Sequence, residues 1–206
     1  MKINPYVFRN YDIRGIVGED LDAEKVAAIG KAYGTFLQRR KIRHAVVGHD
    51  CRLSGEEFQK AMIKSLTETG INVVDLGMVM TQMMYYGQYR FQTNGGVMIT
   101  ASHNPSNFNG FKLGVGYSRT TEVEEVKEIK KYVDEDKYYR SDKVGKVTKA
   151  DEKAFTEDYY HDVLKRVQLK RKFKVVVDSG CGTTGKYVPE LFQRAGCTII
   201  DRKSVV

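Results

Sequence analysis

No stretch of this 206-residue chain strings together the roughly 20 apolar side chains that a membrane-crossing helix requires. Its opening residues, Met1 to Tyr6, also lack the apolar core of a secretory leader, so a cytoplasmic protein with no membrane partner is expected. Cysteine is scarce: Cys51, Cys181 and Cys197 are odd in number and irregular in spacing. That excludes a closed disulfide framework and matches no metal-ligand pattern, leaving free thiols in a reducing compartment. Internal repeats and low-complexity tracts are absent. The formal charge is +8, but the basic residues are scattered. Their densest cluster, Arg39-Arg40-Lys41-Ile42-Arg43, falls at an expected helix end, where cations complement the dipole. The surplus therefore suits a small anionic substrate better than nucleic acid, which is not expected as a partner.

What is present is an alternation of apolar strands and amphipathic helices. Residues 21–40 place Val26, Ile29, Tyr33, Phe36 and Leu37 at helical spacing. A strand over 44–48 leads into the loop 48–54. Ser54 and Glu57 then have the spacing of a capping box, opening a helix that carries Phe58, Met62 and Leu66 inward and stops at Gly70. A strand over 71–76, a helix over 81–90 and a strand over 96–100 follow. Phe111 to Val115 reads as a further strand, and Thr121 with Glu124 as a second capping box. This order predicts an α/β protein: a three-layer α/β/α domain with a mostly parallel mixed sheet over residues 1–135. A charged connection is expected over 136–153. The start of a second, similar domain is expected over 154–206, with a helix from Ala154 to Leu169, a strand over 173–178, a glycine-rich turn, a helix toward Arg194 and a strand over 197–200. Ligands of such sheets sit beyond the carboxyl ends of the strands, where the loop 48–54 and the serine-bearing loop after Thr100 both fall.

That second loop carries a constellation suited to phosphoryl transfer, which needs a nucleophile, neutralising charge and acid/base groups. Ser102 stands on a turn made by Asn104-Pro105 and is a candidate phosphate carrier. His103 adjoins it, Asn104, Asn107 and Asn109 offer amide donors, and Gly110 permits close backbone approach. Lys112 supplies a cation or a proton-transfer group. A phosphoserine would bring about −1.5 to −2 charges and calls for a counter-cation, normally a divalent metal. Taken singly, each residue has an ordinary explanation, since Asn-Pro and Asn-Gly are common turn dipeptides.

The whole string Thr100-Ala101-Ser102-His103-Asn104-Pro105, followed by Asn109-Gly110-Phe111-Lys112, resembles the signature of the α-D-phosphohexomutase family. Three further segments carry the resemblance. Phe8-Arg9-Asn10-Tyr11-Asp12-Ile13-Arg14-Gly15 is similar to the family's N-terminal loop, Gly48 to Ser54 to its G-x-D-x-R-x-S loop, and Val175 to Gly185 to the opening of its second domain. Tyr-Asp-Ile-Arg-Gly points to the phosphomannomutase/phosphoglucomutase branch, where phosphoglucosamine mutases usually show Gly-Thr-Asp-Gly.

The resemblance implies reversible transfer of phosphate between the 1- and 6-positions of a hexose. Ser102 would be the carrier, with a hexose 1,6-bisphosphate as activator and intermediate and Mg2+ held partly through the Ser102 phosphate. It assigns catalytic roles to Ser102, His103, Lys112 and Arg14. Tyr11, Arg14 and Lys112 would contact the hexose phosphate, and Thr100, Asn104, Asn109, Asp50 and Arg52 would support the loop. The family's Asp-Gly-Asp-x-Asp-Arg metal loop and later sugar- and phosphate-binding loops do not occur in these 206 residues, so the chain alone is expected to be inactive. One reverse translation of Asp201-Arg202-Lys203-Ser204-Val205-Val206 reproduces a common sequencing-library adapter, and these six residues are expected to be non-native.

Three rival readings remain: phosphoglucosamine mutase, which the Tyr11 to Gly15 segment argues against, and two of other classes. Gly180 to Tyr187 nearly matches a nucleotide-binding P-loop, but ends in Tyr187 where a small hydroxyl is needed on magnesium. The other is a sugar-phosphate-binding fragment that performs no turnover.

Overall fold

The computed structural model describes residues 3–202. Lys203 to Val206, the greater part of the stretch expected to be non-native, lie outside the described residues. The elements are β1 (Ile13–Ile16), α1 (Ala23–Arg39), β2 (His44–His49), α2 (Gly55–Glu68), β3 (Asn72–Met78), α3 (Thr81–Arg90), β4 (Gly95–Ile99), β5 (Phe108–Val115), α4 (Val123–Asp134), β6 (Val147–Lys149), α5 (Glu152–Arg166), β7 (Lys174–Asp178), α6 (Val188–Arg194) and β8 (Thr198–Arg202). None of these helices is long and apolar enough to cross a membrane.

Six strands form one sheet in the order β1-β5-β4-β2-β3-β6. β2, β3, β4 and β6 run parallel, whereas β5 is antiparallel to both β4 and β1. Alternation along each strand makes the three layers. Ala45, Val47, Val97 and Ile99 join Val26, Ile29, Phe36, Phe58, Leu66 and Ile129 of α1, α2 and α4 in one core. Val46 and Met98 point the other way and pack with Met83, Met84 and Phe155 of α3 and α5. Each fully buried aliphatic or aromatic side chain contributes about 1.5–3 kcal/mol.

The helix starts differ from the expected ones in two places. Ser54 makes no capping bond to α2; its Oγ instead accepts from Asn109 Nδ2 at 2.8 Å, so the hydroxyl ties two loops together. The second capping box forms one residue later, between Glu122 and Glu125. Thr121 is withheld from it because its N–H extends the sheet by donating to the Leu113 carbonyl at 2.8 Å. The stretch expected to be only a connection contains β6, which pairs with β3 through Val73, Val74 and Asp75. All three β6 residues are exposed, so no hydrophobic alternation marks it.

The chain then enters a second unit, where β7 and β8 pair in parallel from Lys174 opposite Thr198 to Asp178 opposite Arg202. This unit docks through Tyr187, which is buried in the core beneath α3 and α5. Its hydroxyl donates to the Met78 carbonyl at 2.5 Å, and the Tyr160 hydroxyl donates to the Tyr187 carbonyl at 2.9 Å.

Candidate active site

Ser102 follows directly on the carboxyl end of β4. The Thr100 N–H donates to the Gly110 carbonyl at 2.9 Å, so β5 picks up the chain as soon as the loop ends. Two tight turns fill the interval, closed by Asn104 N–H to Ala101 carbonyl and Phe108 N–H to Pro105 carbonyl, each at 3.0 Å. Ser102 has φ +57°, a left-handed conformation that costs a non-glycine residue about 1–2 kcal/mol. Its N–H donates to Thr100 Oγ1 at 3.0 Å, and its side chain is exposed. The backbone thus turns the hydroxyl outward.

Arg52 holds that backbone. Its Nη1 donates to the carbonyls of Pro105 (2.6 Å) and Phe108 (2.9 Å), and its Nη2 to those of Ser102 (3.2 Å) and Asn104 (2.7 Å). Asp50 lies 3.3 Å from Arg52 Nε, and its Oδ1 accepts from the Arg52 N–H at 3.1 Å. Charge-assisted bonds of this kind are worth about 1.5–3 kcal/mol each. Four of them on one loop account for how a strained serine is kept in place.

A second cationic group stands behind the loop. Arg14 on β1 donates through Nε (3.0 Å) and Nη2 (2.5 Å) to Asp12 Oδ2, and through Nη1 to Asn104 Oδ1 (2.8 Å) and the Ala101 carbonyl (3.4 Å). Lys112 on β5 places Nζ 3.7 Å from the same Asp12 oxygen. Two cations share one nearly buried carboxylate, leaving a local surplus of positive charge. Such close placement needs β1 against β5, with Arg14 opposite Gly110. A side chain on Gly110 would run into the Ile13 carbonyl. Asn109 is fully buried and serves the scaffold through Ser54, while its Oδ1 accepts from the Gly110 N–H. His103 Nδ1 lies 3.3 Å from Ser102 Oγ.

The loops at the ends of β2 and β4 and the glycine turn after β7 surround a cleft of about 630 Å³. Ser102, His103, Thr100, Asn104, Asp50 and Arg52 line it, facing Gly180 to Thr184 of the second unit. The Cys51 N–H donates to Thr183 Oγ1 at 2.9 Å across the boundary. Tyr11, Arg14, Lys112 and Asn109 do not line this cleft. Arg14 reaches it only through Asn104, and Tyr11 is 61 % exposed.

Residues 5–140 match the family model for the phosphoglucomutase/phosphomannomutase α/β/α domain I. The chain belongs to this family. A phosphoglucomutase of Neisseria meningitidis is 35 % identical over 92 % of the chain and 40 % of its own length. A protein of Methanothermobacter thermautotrophicus named "Probable phosphoglucosamine mutase" is 36 % identical over 97 % of the chain and 44 % of its own length. Among solved structures, a phosphoglucomutase/phosphomannomutase family protein of Burkholderia thailandensis superposes with a TM-score of 0.91. It is 28 % identical and covers all of this chain and 45 % of that one. The chain spans about two fifths of the length of the relatives it matches.

Within this phosphoglucomutase/phosphomannomutase domain, sequence reading missed Asp12 as a site residue, although it sits in the Tyr11-Asp12-Ile13-Arg14 segment already singled out. The i, i+2 spacing of Asp12 and Arg14 within that segment is the available signal. The P-loop alternative fails on geometry. Gly182 leads into a short 3-10 turn, Thr183–Lys186, rather than a long α-helix. Lys186 pairs with Glu152 at 2.6 Å. Burial works to depress the Lys186 pKa, but the bond and charge of Glu152 together with the neighbouring Tyr187 outweigh it, and the ammonium is raised above its usual range. Among the described residues no three His, Cys, Asp or Glu side chains gather where they could hold a metal.

Proposed function

We propose that this chain is the serine-bearing portion of a cytoplasmic phosphohexomutase of the phosphomannomutase/phosphoglucomutase type, which moves phosphate between the 1- and 6-positions of a hexose. The observation that carries the reading is the Ser102 hydroxyl, turned outward into a sugar-sized cleft by a loop whose carbonyls are gripped by Arg52. Residues 1–135 form the first domain together with β6 of the connection 136–153, which joins its sheet, and with α5, whose Phe155 packs on that sheet; the second begins after α5.

In the reaction, phosphorylated Ser102 transfers its phosphoryl group to the free hydroxyl of a hexose monophosphate. The serine O–P bond breaks, a sugar O–P bond forms, and the sugar proton passes to a neighbouring base. The resulting 1,6-bisphosphate turns around and returns its other phosphate to Ser102. Arg14 and Lys112 supply positive charge behind the loop, and the His103 ring, adjacent to Ser102 Oγ, takes part in proton movement. The family resemblance also assigns Tyr11 to sugar contact, from an exposed position outside this cleft. Magnesium would neutralise the phosphoserine when bound. The described residues offer it only the Ser102 phosphate, so its remaining ligands come from outside them.

The chain alone is expected to show negligible mutase turnover. The decisive experiment is incubation of the full-length enzyme, which carries the remaining metal ligands, with glucose 1,6-bisphosphate and Mg2+, followed by mass spectrometry of the tryptic peptide 91–112. One added phosphate, located on Ser102, is expected. Saturable binding of the bisphosphate with no phosphate on this peptide would leave a sugar-phosphate-binding module instead. Phosphoglucosamine mutase is the second reading, favoured by the archaeal relative. Tyr11 to Gly15 argues against it, and a preference for amino-sugar phosphate in the full-length enzyme would restore it.

A further inference from the structure

The mechanism leaves two thiols unused at the mouth of the cleft. Cys51, half-buried, follows β2; Cys181, exposed, follows β7. Both line the cleft beside Ser102. The Cys51 Sγ lies 3.7 Å from the Cys181 carbonyl oxygen, which places that sulfur within about 6 Å of the Cys181 Cα. The backbones are fastened to each other as well, by the Cys51 N–H donating to Thr183 Oγ1. Cys181 itself has φ +59°, a left-handed conformation that is costly for a non-glycine residue, and it is preceded by Gly180 at φ +55°. Gly182 on its other side adds backbone freedom. The third thiol, Cys197, is buried.

We infer that Cys51 and Cys181 form a reversible disulfide that staples the two units together across the cleft, making a redox-sensitive site beside Ser102. A bridge needs Cα atoms roughly 4.4–6.8 Å apart; movement of the glycine-flanked turn toward Cys51 supplies the backbone approach, and rotation of the exposed Cys181 side chain brings its sulfur onto that of Cys51. With hydrogen peroxide as oxidant, the chemistry runs in two steps. The Cys181 thiolate attacks one peroxide oxygen, the O–O bond breaks, water leaves after protonation, and a sulfenic acid forms. The Cys51 thiolate then attacks that sulfur, the S–S bond forms, the S–O bond breaks, and a second water departs. Two thiols lose two electrons and peroxide gains them. The staple would act on the serine loop because Cys51 sits between Asp50 and Arg52, whose guanidinium holds the Ser102 carbonyl. It requires no phosphoryl transfer and stands or falls separately from the mutase reading.

The test is exposure of the folded chain to hydrogen peroxide at low protein concentration, then alkylation and tryptic mass spectrometry without reductant. The expected product links peptide 44–52 to peptide 175–186, is cleaved by dithiothreitol, and lowers the thiol count in denaturant from three to one. Cys197→Ser should keep the link, and Cys51→Ser or Cys181→Ser should abolish it. Cys51→Ser should also leave a Cys181 sulfenic acid that dimedone traps. Links between chains, links to peptide 195–202, or over-oxidation with no 44–52 to 175–186 pair would overturn the inference.

Discussion

Arg52 touches Ser102 through the backbone: its Nη2 donates to the Ser102 carbonyl at 3.2 Å, while the Ser102 hydroxyl stays free of it. The guanidinium therefore shapes the loop without engaging the hydroxyl. Lysine carries the same charge but is a compact ammonium that cannot reproduce a planar fork spread over four carbonyls. Arg52→Lys should cost about 2 kcal/mol in urea unfolding and speed amide exchange over residues 102–108. Unchanged exchange there would show that the turns hold themselves.

The conformation of Ser102 separates stability from chemistry. Ser102→Gly and Ser102→Ala should both fail to take up phosphate from glucose 1,6-bisphosphate. Glycine adopts φ near +57° freely, so Ser102→Gly should be the more stable of the two by about 1 kcal/mol. Equal melting curves would mean the loop relaxes out of the left-handed region.

Asp12 is the shared anion of Arg14 and Lys112. Asp12→Asn leaves two neighbouring cations facing each other, and should destabilise the chain by about 2–3 kcal/mol. Added salt should recover part of that loss by screening. A double variant with Lys112→Met should be less destabilised than the sum of the single changes, which a double-mutant cycle in urea measures.

Tyr187 reaches from the second unit into the first. Tyr187→Phe strands the Met78 carbonyl and should cost about 1–2 kcal/mol, and Tyr187→Ala about 3–5 kcal/mol through the cavity it leaves. If Tyr187→Ala left the melting curve of the first domain untouched, the two units would not be coupled through this side chain.

The start of α1 gives a pH signature. The Lys25 N–H donates to the Asp22 carboxylate, and that bond holds the Asp22 pKa below its ordinary 3.8. Asp20 is lowered as well, chiefly by the Ile16 N–H. A depressed carboxylate contributes stability above its unfolded pKa and loses it as pH falls through the folded value. Asp22→Ala should therefore cost about 1 kcal/mol at neutral pH, with the difference from the parent chain shrinking below about pH 4. A difference unchanged down to pH 2 would exclude the cap as its source.

The sequence showed the three layers because α1, α2 and α4 keep apolar residues at helical spacing, and β2 and β4 are apolar runs bounded by turns. It missed β1 and β6 because edge strands of four and three residues carry no period long enough to read. Of the site, Ser102, His103, Thr100, Asn104, Asp50 and Arg52 were legible as one loop pair lining one cleft. The role of Asp12 was not, since it depends on β5 folding back beside β1, a pairing between residues nearly a hundred positions apart. Ser54 shows the opposite error: its local pattern fits a cap, but a distant asparagine claims the hydroxyl.

Because β5 leaves the serine loop antiparallel to β4, and Thr100 is bonded to Gly110 across its base, both ends of that loop are anchored in the same sheet. It has no hinge on which to swing. Any gate over Ser102 must then move from the opposite bank, by displacement of the Gly180 to Thr184 turn, while the Ser102 hydroxyl stays on a fixed rim.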